Sequence, residues 1–90
     1  MRLEYLPQAD SDLEGIIADC NAATPDLLAD VLDDIELALD RICEFPKAYP
    51  SQPGRPYRVH VTARHRFRIA YLAFDDYVEV IGVFGLRTRR

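Results

Sequence analysis

The chain has no tryptophan, a single methionine, two cysteines and four glycines among its 90 residues. Two cysteines permit at most one disulfide, which excludes the densely cross-linked scaffolds of small secreted proteins. Cys20 and Cys43 fall at core-like positions of two amphipathic segments, where buried free thiols are expected. Neither has a cysteine or histidine at metal-ligand spacing, so no metal and no other cofactor is expected. No apolar run reaches the ~18 residues of a membrane-spanning helix. The opening Met1-Arg2-Leu3-Glu4-Tyr5-Leu6 lacks the long apolar stretch of a secretory signal. The expectation is a soluble cytoplasmic protein without a membrane partner. Glycine-rich phosphate loops and dinucleotide fingerprints are also missing. Ser11 and Ser51 have no histidine in a recognisable motif, which leaves nucleophilic catalysis without support.

What is present begins with 49% apolar and 29% charged residues, the balance of a globular protein, and a length that fits one domain over residues 1–90. Charge divides the chain. Residues 1–44 sum to −10 and residues 45–90 to +6, giving −4 overall, and the basic half is dominated by arginine. Such a division points either to an anionic partner of the second half or to mutual attraction within one fold.

Residues 2–6 alternate as a short strand. Pro7 suits the first turn of a helix, and Ala9, Leu13, Ile16, Ile17 and Cys20 recur at helical spacing until residues 21–23 break the pattern. A second helix starts at Thr24-Pro25-Asp26, which supplies a cap, an N1 proline and a carboxylate for the dipole. Its apolar stripe is Leu28, Val31, Leu32, Ile35, Ala38, Leu39 and Ile42, with Asp30, Asp33, Asp34, Glu36 and Asp40 read as the solvated side. Glu44-Phe45-Pro46 ends it. Four prolines and Gly54 make residues 46–56 a loop, expected to lie over the sheet edge.

Three strands follow, at 57–62, 66–74 and 77–85. Alternation puts Tyr57, Val59 and Val61 on the core side with Phe67, Ile69 and Tyr71, given a three-residue loop at 63–65. Asp75-Asp76 reads as a two-residue turn, which puts Val78, Val80, Gly82 and Phe84 on the core side and Ile81 and Val83 outside. In this register Arg58, His60, Arg66 and Arg68 converge on the face away from the helices, with Arg87, Arg89 and Arg90 at the chain's end. Unpaired arginines so placed suit an anionic ligand, either a phosphate backbone or an acidic peptide, although a solvated outer face is the bland alternative. His60 is the one candidate general acid or base, and RNA cleavage by the RNA's own 2′-hydroxyl is the chemistry such a face would support.

Four stretches then show a resemblance to the ParE/RelE superfamily of toxins from bacterial type II toxin–antitoxin modules. They are Ala9-x-x-Asp12-Leu13-x-x-Ile16, the helix ending from Ile35 through Ala38, Leu39 and Ile42 to Pro46, the strand Arg66-Phe67-Arg68-Ile69-Ala70-Tyr71, and Val78-Glu79-Val80-Ile81-Gly82-Val83 with its trailing arginines. The resemblance implies an α+β fold, a small antiparallel sheet with an N-terminal helical hairpin on one face, in the order β-α-α-β-β-β. It implies a cognate antitoxin, in a hetero-oligomer with the toxin, and a role of the plasmid-stabilisation kind. Two activities stay open. ParE-like members inhibit DNA gyrase and are not nucleases; here Arg58, Arg66, Arg68, Arg87, Arg89 and Arg90 would bind the target. RelE-like members cleave mRNA on the ribosome, and the matching catalytic set would be Arg58, His60, Arg66, Arg68 and Arg87. No tyrosine follows Tyr77, and Phe84-Gly85-Leu86 stands where either branch often has a histidine; the long second helix, the Arg66-x-Arg68-Ile69-x-Tyr71 strand and the arginine end favour the ParE-like reading. A non-catalytic protein-interaction module is the third reading.

Overall fold

The computed structural model describes residues 2–51 and 53–85. Strand β1 (Arg2–Tyr5) leads through Leu6 into α1 (Pro7–Ala23), and α2 (Pro25–Glu44) follows after a single residue. That residue, Thr24, ends one helix and starts the next. Its N–H donates to the Cys20 carbonyl, and its side chain accepts from the Leu27 N–H at 3.1 Å. Residues 21–23 therefore extend α1 instead of forming a connector, because two alanines favour helix and the cap lies beyond them.

Strands β2 (Arg58–Val61), β3 (Arg68–Ala73) and β4 (Tyr77–Phe84) complete a sheet of order β1-β4-β3-β2. The last three strands are antiparallel, and β1 joins β4 in parallel, so the sheet of this α+β fold is mixed. The helices cover one face. Val31, Ile35, Ala38 and Ile42 of α2 and Ala9 and Cys20 of α1 meet Ile69, Tyr71, Val78, Val80 and Val83 in a single core. Cys20 is buried, Cys43 is half-buried, and both are free thiols.

Two registers differ from the sequence reading. The β2–β3 loop has four residues, 63–66, closed by the Thr62 N–H to the Phe67 carbonyl at 2.8 Å and the Phe67 N–H to the Thr62 hydroxyl at 2.9 Å. Arg66 supplies the added residue by turning left-handed, with φ 61°. Arg58 consequently pairs with Tyr71, His60 with Ile69 and Val61 with Arg68, which reverses the faces of β2. The turn at Asp75-Asp76 forms as expected, with the Phe74 N–H donating to the Tyr77 carbonyl at 2.9 Å. Further on, the β3–β4 pairing shifts at Tyr71, which opposes Val80 while Ala70 opposes Gly82. Ile81 is thus a bulge, and it turns Val83 into the core at 3% exposure and Phe84 out of it at 47%.

Candidate target-binding face

The four residues expected to form one patch lie in three places. Arg58 and His60 share the helix side of the sheet with Tyr71 and Ile69, because directly paired residues point to the same face. There the Arg58 guanidinium donates from Nη1 to the Tyr49 carbonyl at 2.7 Å, and the His60 ring meets the Tyr49 ring edge-on at 4.2 Å. The Tyr71 hydroxyl donates to the Pro46 carbonyl at 2.8 Å, and burial pushes its pKa up to about 12, against the opposing effect of Arg58. These contacts bind residues 46–51 as a strap over the end of β2. The Val59 N–H donates to the Pro50 carbonyl at 3.2 Å, and Ser51 bridges Arg58. The expected position of this loop over the sheet edge is what the structure has.

Arg66 stands exposed in the β2–β3 loop, and Arg68 opens β3 on the opposite, uncovered face. Arg87, Arg89 and Arg90 lie outside the described residues. The expected convergence of Arg58, His60, Arg66 and Arg68 on one face is therefore corrected: the sheet separates the first two from Arg68. The cause is the fourth loop residue, since one position of slip exchanges the two faces.

The electrostatics of His60 follow from its place. Burial first, and then the nearby Arg41, lower its pKa, with Asp34 acting the other way. The neutral form of the ring is thereby favoured, and among the described residues it hydrogen-bonds to no carboxylate that would orient it as a base.

The loop is held by two carboxylates one helical turn apart on α2. Asp34, only 3% exposed, accepts from the backbone N–H of Arg64 at 3.1 Å and of His65 at 2.8 Å. Burial alone would raise its pKa, but the donors of His65, Thr62 and Arg64 outweigh burial and hold it below the ordinary value. Asp30 reaches the His65 ring at 2.7 Å and also pairs with the Arg64 guanidinium. The His65 hydrogen bond is the largest influence keeping the Asp30 pKa low. Asp34 was legible in principle, because it stands three residues after Val31 and four before Ala38, on the apolar stripe. Asp12, the acid of the first motif, accepts the Val83 N–H at 3.0 Å where β1 has run out along the edge of β4.

The uncovered face is shallowly concave, enclosing about 490 Å³ between Tyr57, Val59, Val61, Arg68, Ala70, Ile81 and Phe84, with Pro50 at its margin. It is apolar, with one cation in its lining. No metal-holding cluster of three histidine, cysteine, aspartate or glutamate side chains occurs among the described residues.

With this geometry in place, comparison with known proteins gives structural likeness alone. No family model and no curated protein matches the sequence. Among solved structures, a chain of the chromosomal ParDE TA system from P. aeruginosa superposes with a TM-score of 0.78, at 14% identity and 97% coverage of both chains. The intact E. coli RelBE toxin–antitoxin complex contains a chain that matches with a TM-score of 0.60 at 14% identity, covering 97% of this chain and 98% of that one. The chain shares the fold of these two toxin–antitoxin chains. A conserved hypothetical protein from Helicobacter pylori shares it, with a TM-score of 0.60 and 16% identity over 96% of this chain and 94% of that one. Within this shared fold, the four motifs take distinct parts. Asp12 tethers β4, the α2 ending delivers the strap at Pro46, the third motif places Arg68 beside Ile69 and Tyr71, and the fourth carries the bulge.

Proposed function

We propose that this protein is the toxin of a type II toxin–antitoxin pair, ParE-like in action, which inhibits DNA gyrase and is neutralised by a cognate antitoxin. The observation that carries the ParE-like choice is the separation of Arg58 and His60 from Arg68 by the thickness of the sheet. RNA cleavage needs a base and charge-stabilising groups around one phosphate. Here the histidine lies under the strap while Arg68 opens to the other side. Arg58, moreover, is engaged by a backbone carbonyl. The greater likeness to the ParDE chain than to the RelBE chain supports the same choice. Of the arginines expected to bind the target, Arg66 and Arg68 are the described ones that stand exposed.

Induced expression followed by two readouts tests this. The ParE-like reading expects filamentous cells, a DNA-damage response and loss of supercoiling by purified gyrase with added protein. A prompt stop in translation with cleaved mRNA would overturn it in favour of the RelE-like endonuclease. Absence of any growth effect would leave a protein-interaction module.

A further inference from the structure

Arg64, Arg66 and Arg68 lie within five residues at the β2–β3 loop, and they are not used alike. The Arg64 guanidinium is engaged by Asp30, and its backbone N–H by Asp34. His65 is held in the same double way, its N–H by Asp34 and its ring by Asp30. The other side of that ring meets Phe67, with 6.4 Å between centroids. Two carboxylates at i and i+4 of α2 therefore grip the two residues that immediately precede Arg66. Arg66 itself is exposed, and among the described residues its side chain enters no ion pair.

A loop whose last residue turns left-handed is ordinarily built with glycine or asparagine there, since either reaches that region at little cost. With φ 61°, this chain keeps a long cation at that strained position instead. Such strain persists where the surrounding structure over-determines the backbone. Asp34 supplies that restraint from a buried site. Asp30 differs, because it is half-exposed, where ion pairs stabilise a fold weakly. Stability does not account for a second grip on the same two residues. The side chain that this grip steadies is the neighbouring Arg66.

We propose that Asp30 is a positioning residue: through Arg64 and His65 it holds the left-handed turn that presents Arg66 to the protein's target. The proposal deepens the gyrase-directed reading and rests on it for the identity of that target. It divides the basic residues of the loop by role. Arg64 and His65 belong to the scaffold, tied to the acidic helix, and Arg66 is the contact.

The test titrates supercoiling by purified gyrase with the full-length protein and with Asp30→Ala, Asp30→Asn, Arg66→Ala and the Asp30→Ala/Arg66→Ala pair. Asp30→Ala is expected to weaken inhibition about fivefold or more. It should still melt within about 5 °C of the parent, because the pairs it loses are half-exposed. Asp30→Asn should retain most of the inhibition, since its amide oxygen still accepts a hydrogen bond. In the Arg66→Ala background, Asp30→Ala should add nothing, whereas a merely structural role would multiply the two losses. Nitrogen-15 relaxation supplies a readout that does not depend on gyrase. The order parameter of the Arg66 N–H is expected to fall from about 0.85 in the parent to below about 0.6 in Asp30→Ala. An unchanged order parameter, or multiplied losses, would overturn the positioning role. Full inhibition by Asp30→Ala beside lost inhibition by Arg66→Ala would overturn it and leave the gyrase reading standing. Full inhibition by Arg66→Ala would overturn the presentation of Arg66. No inhibition by the parent would overturn the gyrase reading, and relaxation would then decide whether Asp30 orders Arg66.

Discussion

At Asp34 a single buried carboxylate holds the β2–β3 loop against α2. It satisfies two N–H groups of a loop that the backbone of β3 cannot reach. Asp34→Ala leaves both without their acceptor, and a loss of about 1–3 kcal/mol in urea unfolding is expected. The Asp34 pKa is lower folded than unfolded, so its contribution is full above pH 3.8 and is lost as pH falls through the depressed folded value. Unfolding measured from pH 6 down to pH 2 should therefore be steeper in the parent than in Asp34→Asn. Arg66 makes the complementary case. Its φ of 61° is strained for a residue with a side chain. Arg66→Gly should be neutral or stabilising by up to about 1 kcal/mol, read by thermal melting. If growth inhibition falls in the same variant, Arg66 serves the target and not the fold.

Among the elements, β4 shows how a bulge re-aims side chains. A Cβ at Gly82 would stand 2.6 Å from Phe84 Cζ and 3.1 Å from Asp12 Oδ2. Gly82→Ala should cost about 1–3 kcal/mol by forcing the Phe84 ring aside. Phe84→Ala removes the clash, so a double-mutant cycle in urea should show coupling of at least ~0.5 kcal/mol between the two sites. Independent effects would mean that the ring moves freely. Elements and their order were legible from periodicity, since α2 carries an uninterrupted stripe and Thr24 a recognisable cap. The faces of β2 and the end of β4 were not. Each depends on one extra residue, Arg66 or Ile81, whose insertion leaves alternation intact and merely changes its phase. For the candidate site the consequence was large, because Arg58 and His60 went to the side opposite Arg68.

For the whole molecule, the charge division has a plain structural meaning. The described ion pairs that join the acidic helices to the basic sheet segment are those of Asp30 with Arg64 and His65, and they are half-exposed. Exposed pairs contribute roughly 0–1 kcal/mol and weaken with salt. Unfolding free energies from urea titrations at low salt and at ~1 M salt should therefore agree within about 1 kcal/mol. A larger loss would mean that attraction between the halves holds the fold. Arginine content alone did not identify a face; that required the register.

The strap at residues 46–51 has a consequence beyond the site. An outermost strand with valines at alternate positions is a template on which further chains can stack. With Pro50 already seated against Val59 and prolines flanking it in sequence, β2 presents little of that template. The same residues that confine Arg58 and His60 thus help keep a small sheet protein from growing into fibrils.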